Sequence, residues 1–267
     1  MPAPLALNQS TRPPTHTVRL RGLNPETLAC LLEQVIEHVD TDDTLPLLTC
    51  VHIRLGRGRM HAMATDRYTG AIASMPVRTE ETARITIPAT FARRMLEALR
   101  PDECCDSERP AEADLTISPN LFGLTVHEHE PISCWCDGDY TDNTTRLAVR
   151  FDPHADTINL PAVAIRALSE PASTDPLPVN VRLLSRFFTY GPIIPLDTAT
   201  GRLQPDATDL LTRYAVHNTG SLIVLTRPDF LGILTGCRTA PKTDPAPHTA
   251  IPAETRTAWR HQLAQIA

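Results

Sequence analysis

One order of elements occurs twice in the first half of the chain, and this repeat limits the folds that the sequence can adopt. In its first copy, the alternating stretch TVRLRGL predicts a strand. Asn24-Pro25 then predicts the start of a helix, because Asn caps helices well and Pro is favoured at the first helical position. Apolar residues at spacings of three and four continue that helix. Strands are predicted after it near 46–55, 59–65 and 69–77.

The second copy begins at ARITI, which predicts another strand. A helix follows over Ala89–Arg100, and Pro101 ends it. Further strands are predicted near 114–118, 121–128 and 131–137. The repeat therefore predicts an α+β fold of β-α-β-β-β units, with helices on one face of antiparallel sheets.

The second half of the chain keeps less of this pattern. TINL and PAVAIRALSE predict a strand and a short helix, but the three strands that should follow have no counterpart in the sequence. LPVNVRLLSRFFTYG begins another unit, whose last strands are predicted near 211–217, 221–226 and 229–236. The expected division is a flexible N-terminal tail at 1–16, a complete domain at 17–147, a shortened domain at 148–239, and a Pro-rich tail with a short helix at 240–267.

Composition excludes several classes of protein. A net charge of -6 is not that of a general polycation, so contact with nucleic acid would need a local arginine face. No apolar run reaches the roughly 18 residues of a membrane span, and the N-terminus lacks the pattern of a signal peptide. Seven cysteines without a disulfide framework fit a reducing compartment. We therefore expect a cytoplasmic protein that has no membrane partner.

Several segments resemble the bacterial DNA polymerase III β subunit, the sliding clamp, in the same order along the chain. ATDRYTGAIASMPV is similar to the ATD…SMP segment of the clamp's middle domain, and ITIPATFARRMLEAL to the strand, proline and helix that follow it. CDGDYTDNTTRL resembles the linker into the last domain, VNVRLLSRFF that domain's second helix, and FLGILTGCR its closing strand. The resemblance is collinear over most of the chain and covers the middle and last domains of the clamp.

The resemblance implies a DNA-clamp fold without catalysis and without a cofactor. It implies a processivity factor, or a relative of one, in DNA replication. Its partners would be double-stranded DNA, bound without sequence specificity, and the replicative polymerase or other clamp-binding proteins. Because the match covers two of the three clamp domains, a closed six-domain ring would need a homotrimer.

Clamp helices line the central hole, so exposed arginines on the predicted helices become candidate DNA contacts. An arginine face is equally typical of a solvated helix, and the sequence leaves both interpretations open. The first helix adds an argument against encirclement, because Glu26, Glu33 and Glu37 are predicted on its exposed side. The candidate DNA-binding residues are Arg93, Arg94, Arg100, Arg166, Arg182 and Arg186.

Clamps bind a short hydrophobic peptide of their partners in a pocket between these two domains. The resemblance places that pocket here at Thr65, Arg67, Tyr68, Gly70, Ile233 and Thr235. Gly70 stands where the family has a larger apolar residue, and Thr235-Gly236 replaces its Met-Pro. These departures count against partner capture in the usual manner and favour the alternative function, a clamp-derived adaptor or regulator that binds replication proteins without forming a ring.

Other constellations have weaker spacing. His127, His129, Cys134 and Cys136 are able to bind zinc, but structural zinc sites separate their cysteines by two to four residues rather than one. We therefore predict no metal site. No phosphate-binding glycine loop, nucleophile elbow or HExxH motif occurs, so we predict no enzyme activity. Thr65 and Asp66 are interpreted as residues that bond the backbone of a turn, rather than as a catalytic pair.

Overall fold

A computed structural model describes residues 16–99, 112–127, 144–152, 158–173, 179–187, 215–236 and 253–266. The first predicted unit is present. Asn24 caps its helix as expected, since the Asn24 Oδ1 atom accepts a hydrogen bond from the Thr27 backbone N–H at 2.9 Å. The elements of this unit are β1 (Val18–Leu23), α1 (Pro25–Ile36), β2 (Cys50–Gly56), β3 (Arg59–Thr65) and β4 (Thr69–Pro76).

The second unit differs from the prediction in its last strand. The predicted strand at 131–137 lies outside the described residues, and the strand that pairs with the end of this sheet is Thr144–Arg150. That strand crosses the boundary expected between 147 and 148, a stretch that resembled a linker. The elements are β5 (Ala83–Pro88), α2 (Ala89–Leu99), β6 (Glu112–Ser118), β7 (Leu121–His127) and β8 (Thr144–Arg150).

In the remaining part of the chain, two helices precede three strands and a last helix. The strand predicted at TINL does not form over its described part, because residues 158–159 lead directly into a helix. The elements are α3 (Leu160–Ser169), α4 (Val181–Ser185), β9 (Ala215–Asn218), β10 (Leu222–Arg227), β11 (Phe230–Thr235) and α5 (Ala253–Ile266). Within the described ranges, none of the helices is long and apolar enough to cross a membrane.

Two antiparallel sheets organise these elements. One has four strands in the order β1-β6-β7-β8, and the other has seven in the order β5-β2-β3-β4-β11-β10-β9. The longer sheet is continuous because β11 pairs with β4, with Ile233 opposite Gly70 and Phe230 opposite Ala73. The two predicted domains therefore share a sheet.

The seven-stranded sheet is covered on both faces. We call the face that carries Ala62 and Ala71 the first face, and the face that carries Met63 and Ile72 the second face. On the first face, α1 and α2 fill the space between the two sheets, and Phe187, just after α4, joins the same core. On the second face, α3 and α5 pack against each other and build a separate smaller core.

The α+β class with antiparallel sheets is confirmed. The prediction that the helices lie on one face of the sheets is wrong for α3, which packs on the second face. The reason lies in the strands. TGAIASMP places small or apolar side chains on both faces, and the buried Met63 of RMHAMAT joins Ile72 on the second face, which is typical of strands buried on both sides. A second helical layer can therefore bury the second face.

The C-terminal helix α5 forms as predicted, but the expectation that it belongs to a tail is wrong. Trp259 and Leu263 are 1% and 0% exposed. The Trp259 indole N–H donates to the backbone carbonyl of Arg227 at 3.0 Å, so its polar atom is satisfied in the core. Helix α5 is therefore a packed element of the second face.

Trp259→Ala should destabilise the protein by about 3–5 kcal/mol, because it removes a large buried side chain and leaves a cavity. Chemical denaturation followed by circular dichroism would measure this loss. Arg260→Ala is the matched control, since Arg260 is exposed on the same helix and its loss should change stability by less than about 0.5 kcal/mol. Equal stability of the two variants would contradict the packing of α5.

Candidate functional site

The turn between β3 and β4 is built around Asp66, as the sequence predicted. The Asp66 Oδ1 atom accepts the Tyr68 N–H at 3.0 Å, the Thr69 N–H at 2.6 Å and the Thr69 hydroxyl at 2.8 Å. The Thr65 hydroxyl donates to the Thr69 carbonyl at 2.6 Å. These bonds confirm Thr65 and Asp66 as residues that satisfy the backbone of the turn.

Arg67, at the tip of this turn, has a left-handed backbone with φ of 79°. A non-glycine residue rarely adopts that conformation without support from its surroundings. The support is electrostatic, since the Arg67 guanidinium lies 3.0 Å from a carboxylate oxygen of Asp40 and 3.6 Å from one of Asp42. The turn is thereby tied to the segment that follows α1.

The structure brings the predicted pocket residues together at the junction of β4 and β11. Ile233 lies opposite Gly70, and the Thr235 N–H donates to the Tyr68 carbonyl at 2.8 Å. The apolar floor of this region is filled, however. Ile233 is buried, and a Cβ atom on Gly70 would lie 2.7 Å from Leu160 Cδ1. Leu160 of α3 therefore occupies the space that a bound side chain would need, and only the Arg67 and Tyr68 side chains remain largely exposed.

A joint on the first face connects this turn to α4. The second carboxylate oxygen of Asp66 forms an ion pair with the Arg186 guanidinium, which also donates to the Thr69 hydroxyl at 3.4 Å. The next residue, Phe187, packs its ring 4.5 Å from that of His38, measured between centroids. A Cβ atom on Gly232 would lie 2.5 Å from Phe187 Cε1, so the absence of a side chain there makes room for Phe187. The turn between β3 and β4, the segment after α1, the end of α4 and strand β11 therefore contact one another at this joint.

The charges in the joint follow from burial and pairing. Burial alone would raise the pKa of Asp66, but the hydrogen bonds from Thr69 and the charge of Arg186 outweigh it and lower that pKa. Burial lowers the pKa of His38 to about 3, so its ring is neutral at neutral pH. The joint thus contains one ion pair and a neutral aromatic stack.

The predicted DNA-binding arginines do not share one surface. Arg93 and Arg94 are exposed on α2, and Arg182 is exposed on α4. Arg166 is exposed on α3, across the seven-stranded sheet, with its Nε atom 3.3 Å from Glu170. Arg186 was expected to be exposed, but its side chain is 33% exposed and pairs with Asp66. Arg100 lies outside the described residues.

The acidic side chains of α1 are less exposed than the sequence suggested. Glu26 is exposed in the first turn, whereas Glu33 and Glu37 are half-buried. Helix α1 packs against α2, and His38, just beyond α1, contacts Phe187 next to α4. Helix α1 therefore neighbours α2, and the segment just after α1 neighbours the end of α4.

Only one member of the zinc candidate set can be placed. His127 Nε2 lies 3.5 Å from Asp114 Oδ2 on the four-stranded sheet, while His129, Cys134 and Cys136 fall outside the described residues. In the part of the chain that the structure describes, no group of three or more His, Cys, Asp or Glu side chains is arranged to hold a metal ion.

Sequence reasoning missed the partners across the joint. Asp66 has a local turn signature, but nothing in the sequence connects it to Arg186, which lies 120 positions further on.

Comparisons with known proteins agree with this architecture. Residues 22–142 match the profile of the family described as DNA polymerase III beta subunit, central domain. Among solved structures, the chain is similar to the DNA polymerase III β subunit of Thermotoga maritima, with a TM-score of 0.52, 11% identity, and coverage of 90% of this chain and 70% of that one. The β subunit of Pseudomonas aeruginosa gives a TM-score of 0.53 at 9% identity, with the same coverage of 90% and 70%.

A third similar structure is the β subunit of Borrelia burgdorferi in complex with a natural product. It has a TM-score of 0.54 and 9% identity, and the alignment covers 87% of this chain and 67% of that one. At these identities the structural likeness establishes the fold. A search among curated proteins found no match to the chain.

Asp66→Asn should lower the free energy of unfolding at neutral pH by about 1–3 kcal/mol, since it leaves Arg186 without its charged partner. The folded-state pKa of Asp66 is lowered, so its contribution is present above the unfolded value of about 3.9 and is lost as pH falls through the folded value. The difference between wild type and variant should therefore narrow below about pH 4. Chemical denaturation of both proteins at several pH values measures this difference in the free energy of unfolding. Glu97→Gln is the control, because Glu97 is exposed on α2.

Proposed function

We propose that this protein is a non-catalytic, clamp-like replication factor, because residues 22–142 match the central-domain family of the DNA polymerase III β subunit and the described chain has the sliding-clamp fold. In this proposal it acts in the cytoplasm and holds duplex DNA without reading its sequence. The protein would act by holding DNA in place rather than by making or breaking bonds, so it requires neither a cofactor nor a reacting side chain.

The observation that carries the proposal is the pair of exposed arginines on α2. Helix α2 buries Phe91, Met95 and Leu99 against the core, and this fixes Arg93 and Arg94 on the outward side. Guanidinium groups that face outward from a rigid helix suit contact with phosphates, which is independent of base sequence.

Arg182 extends this surface, whereas two predicted contacts fit it less well. Arg182 is exposed at the start of α4, on the same side of the seven-stranded sheet as α2. Arg186 is engaged by Asp66, and Arg166 projects from the layer on the second face. We therefore propose Arg93, Arg94 and Arg182 as the DNA contacts, with Glu26 of α1 as an opposing charge.

Arg93→Glu combined with Arg94→Glu should weaken binding to duplex DNA roughly tenfold or more and abolish retention on circular DNA. The slope of log affinity against log salt should become shallower by about 2, because two phosphate contacts are lost. Fluorescence anisotropy with labelled duplex at several salt concentrations measures both quantities.

The matched control for this experiment is Arg19→Glu combined with Arg21→Glu. Both residues are exposed on β1, at the edge of the four-stranded sheet opposite β8, so the same change in net charge occurs on a different surface. If the two double variants lose affinity equally, general charge rather than the α2 surface governs binding, and the assignment of Arg93 and Arg94 fails.

Encirclement would require copies of the chain to pair through open strand edges. Within the chain, β4 is already joined to β11, and among the described strands the outer ones are β5 and β9 in one sheet and β1 and β8 in the other. Strand β8 occupies the same position in its unit as β4 does, so it is the natural edge for a neighbouring copy. A homotrimer would supply six domains of this kind.

The second candidate function is a clamp-derived adaptor that binds the replicative polymerase or other clamp-binding proteins without forming a ring. It is supported by Leu160, which fills the expected peptide pocket, and by α5, which covers the second face. An adaptor of this kind would contact its partners through what remains exposed beside that pocket, such as Tyr68.

Absolute mass in solution separates the two functions. Light scattering after size-exclusion chromatography, over a range of concentrations, should give a stable trimer for the ring and a monomer or dimer for the adaptor. If the protein stays monomeric after circular DNA is added, encirclement is excluded and the adaptor remains.

A further inference from the structure

A small cavity lies on the outer face of the four-stranded sheet, which is the face turned away from α1 and α2. Its volume is about 190 Å³, and it extends across β1, β6 and β7. Leu20 and Leu115 also line it, but their side chains are buried in the core. We call it the outer cavity, and its polar side chains are those of Arg19, Arg21, Asp114, Thr116 and Thr125.

A bulge in β1 shapes one side of the outer cavity. The register of β1 against β6 shifts between Leu20 and Leu23. The extra residue is accommodated at Gly22, whose backbone is left-handed with φ of 63° and whose N–H donates to Asp114 Oδ1 at 3.0 Å. Arg21, next to the bulge, is exposed on the outer face. The bulge therefore ties the strand that carries Arg21 to β6 at Asp114.

The hydrogen-bond donors around the outer cavity are unused. Arg19 lies opposite Thr116, and Thr125 lies one strand further on β7. Among the described residues, no hydrogen-bond or ion-pair partner engages the guanidinium groups of Arg19 and Arg21 or the hydroxyl groups of Thr116 and Thr125. Three neighbouring strands span about 10 Å, since adjacent strands are about 4.8 Å apart. Two guanidinium groups and two hydroxyl groups thus border one small cavity.

Asp114 supplies the negative charge in this lining, and both of its carboxylate oxygens are engaged. Oδ1 accepts the Gly22 N–H, and Oδ2 lies 3.5 Å from His127 Nε2. The side chain of Asp114 is 31% exposed. Two guanidinium charges, from Arg19 and Arg21, exceed this one carboxylate charge. The lining of the outer cavity therefore favours a ligand with negative charge.

We propose that the outer cavity binds a small oxyanion of the phosphate type, held by the guanidinium groups of Arg19 and Arg21 and by the hydroxyl groups of Thr116 and Thr125. Arginine suits this ligand because its planar fork donates to two oxygens at once. Four donors around one cavity match the several oxygens of a phosphate better than the two oxygens of a carboxylate.

The size and position of the outer cavity favour a small anion over a polymer. Sites for drug-sized ligands measure roughly 300–1,000 Å³, and the outer cavity is smaller, at about 190 Å³. The proposed DNA contacts Arg93 and Arg94 lie on α2, which packs against the inner face of the same sheet. A duplex held at α2 would therefore not reach the outer cavity, because the sheet separates them.

The test is the affinity of the full chain for inorganic phosphate, measured by isothermal titration calorimetry in a chloride buffer at constant ionic strength. We expect saturable binding by the wild type. Arg21→Gln should weaken it at least tenfold, because it removes a charged donor from the cavity. Arg260→Gln is the matched control, since Arg260 is exposed on α5, which packs on the other sheet, and its loss should leave the affinity unchanged.

Thr125→Val separates ligand contact from loss of charge. Valine keeps the branched shape that suits a strand, so the free energy of unfolding should not change. The loss of the hydroxyl group should nevertheless weaken phosphate binding about threefold or more. An affinity that is unchanged in Arg21→Gln or in Thr125→Val, an equal loss in Arg260→Gln, or no saturable binding by the wild type would each overturn the proposal.

Acetate and duplex DNA identify the class of ligand. Acetate should bind at least tenfold more weakly than phosphate, and equal affinities would make this a general carboxylate site and end the proposal. In fluorescence anisotropy, Arg21→Gln should leave the affinity for a labelled duplex unchanged. If this variant weakens duplex binding as much as phosphate binding, the site belongs to the nucleic-acid backbone, and the small-anion proposal fails.

Discussion

The pairing of β4 with β11 is the interaction on which the rest of the structure depends. Five opposed residue pairs join the strands, and the Thr235 N–H and the Ser74 N–H extend the bonding with donations of 2.8 Å at the two ends. Because β11 comes from the far end of the sheet-forming chain, this pairing closes a long loop and turns two partial sheets into one. The ion pair of Asp66 with Arg186 and the Phe187 ring, which packs over Gly232, lie beside this pairing.

A sheet that is continuous across the junction has two faces to bury, and the chain uses them differently. The first face holds α1 and α2 against the four-stranded sheet, and it leaves Arg93 and Arg94 outward on a rigid helix. The second face is apolar over β4, β11 and β10, where α3 and α5 pack. It is polar over β5, β2 and the start of β3, and the Arg54 and His61 side chains are buried there. The first face thus carries the proposed DNA surface, whereas the second face carries a separate apolar core and these buried polar side chains.

Local pattern predicted much of this fold, and distant contacts decided the rest. Strand β3 has the bounds that the sequence predicted, because RMHAMAT lies between two clear turns, and α2 and α3 follow from their apolar periodicity. His52 and Arg54 alternate with apolar residues on β2, a pattern typical of a strand with one wet face. Both side chains are nevertheless buried: His52 Nε2 lies 2.9 Å from the Leu47 carbonyl oxygen, and α5, from the far end of the chain, lies against β2. No local signal encodes the contact with α5.

Gly70 has one implication in the sequence and another in the structure. From the resemblance, the sequence predicts a partner pocket in which Gly70 replaces a larger apolar side chain. In the structure a Cβ atom at this position would lie 2.7 Å from Leu160 Cδ1, so Gly70 gives the Leu160 side chain of α3 room to pack closely on the second face. Docking of α3 in turn gives α5 its packing partner, and Trp259 and Leu263 complete the layer. Leu160, in the space above Gly70, thus links the junction of β4 and β11 to the second helical layer.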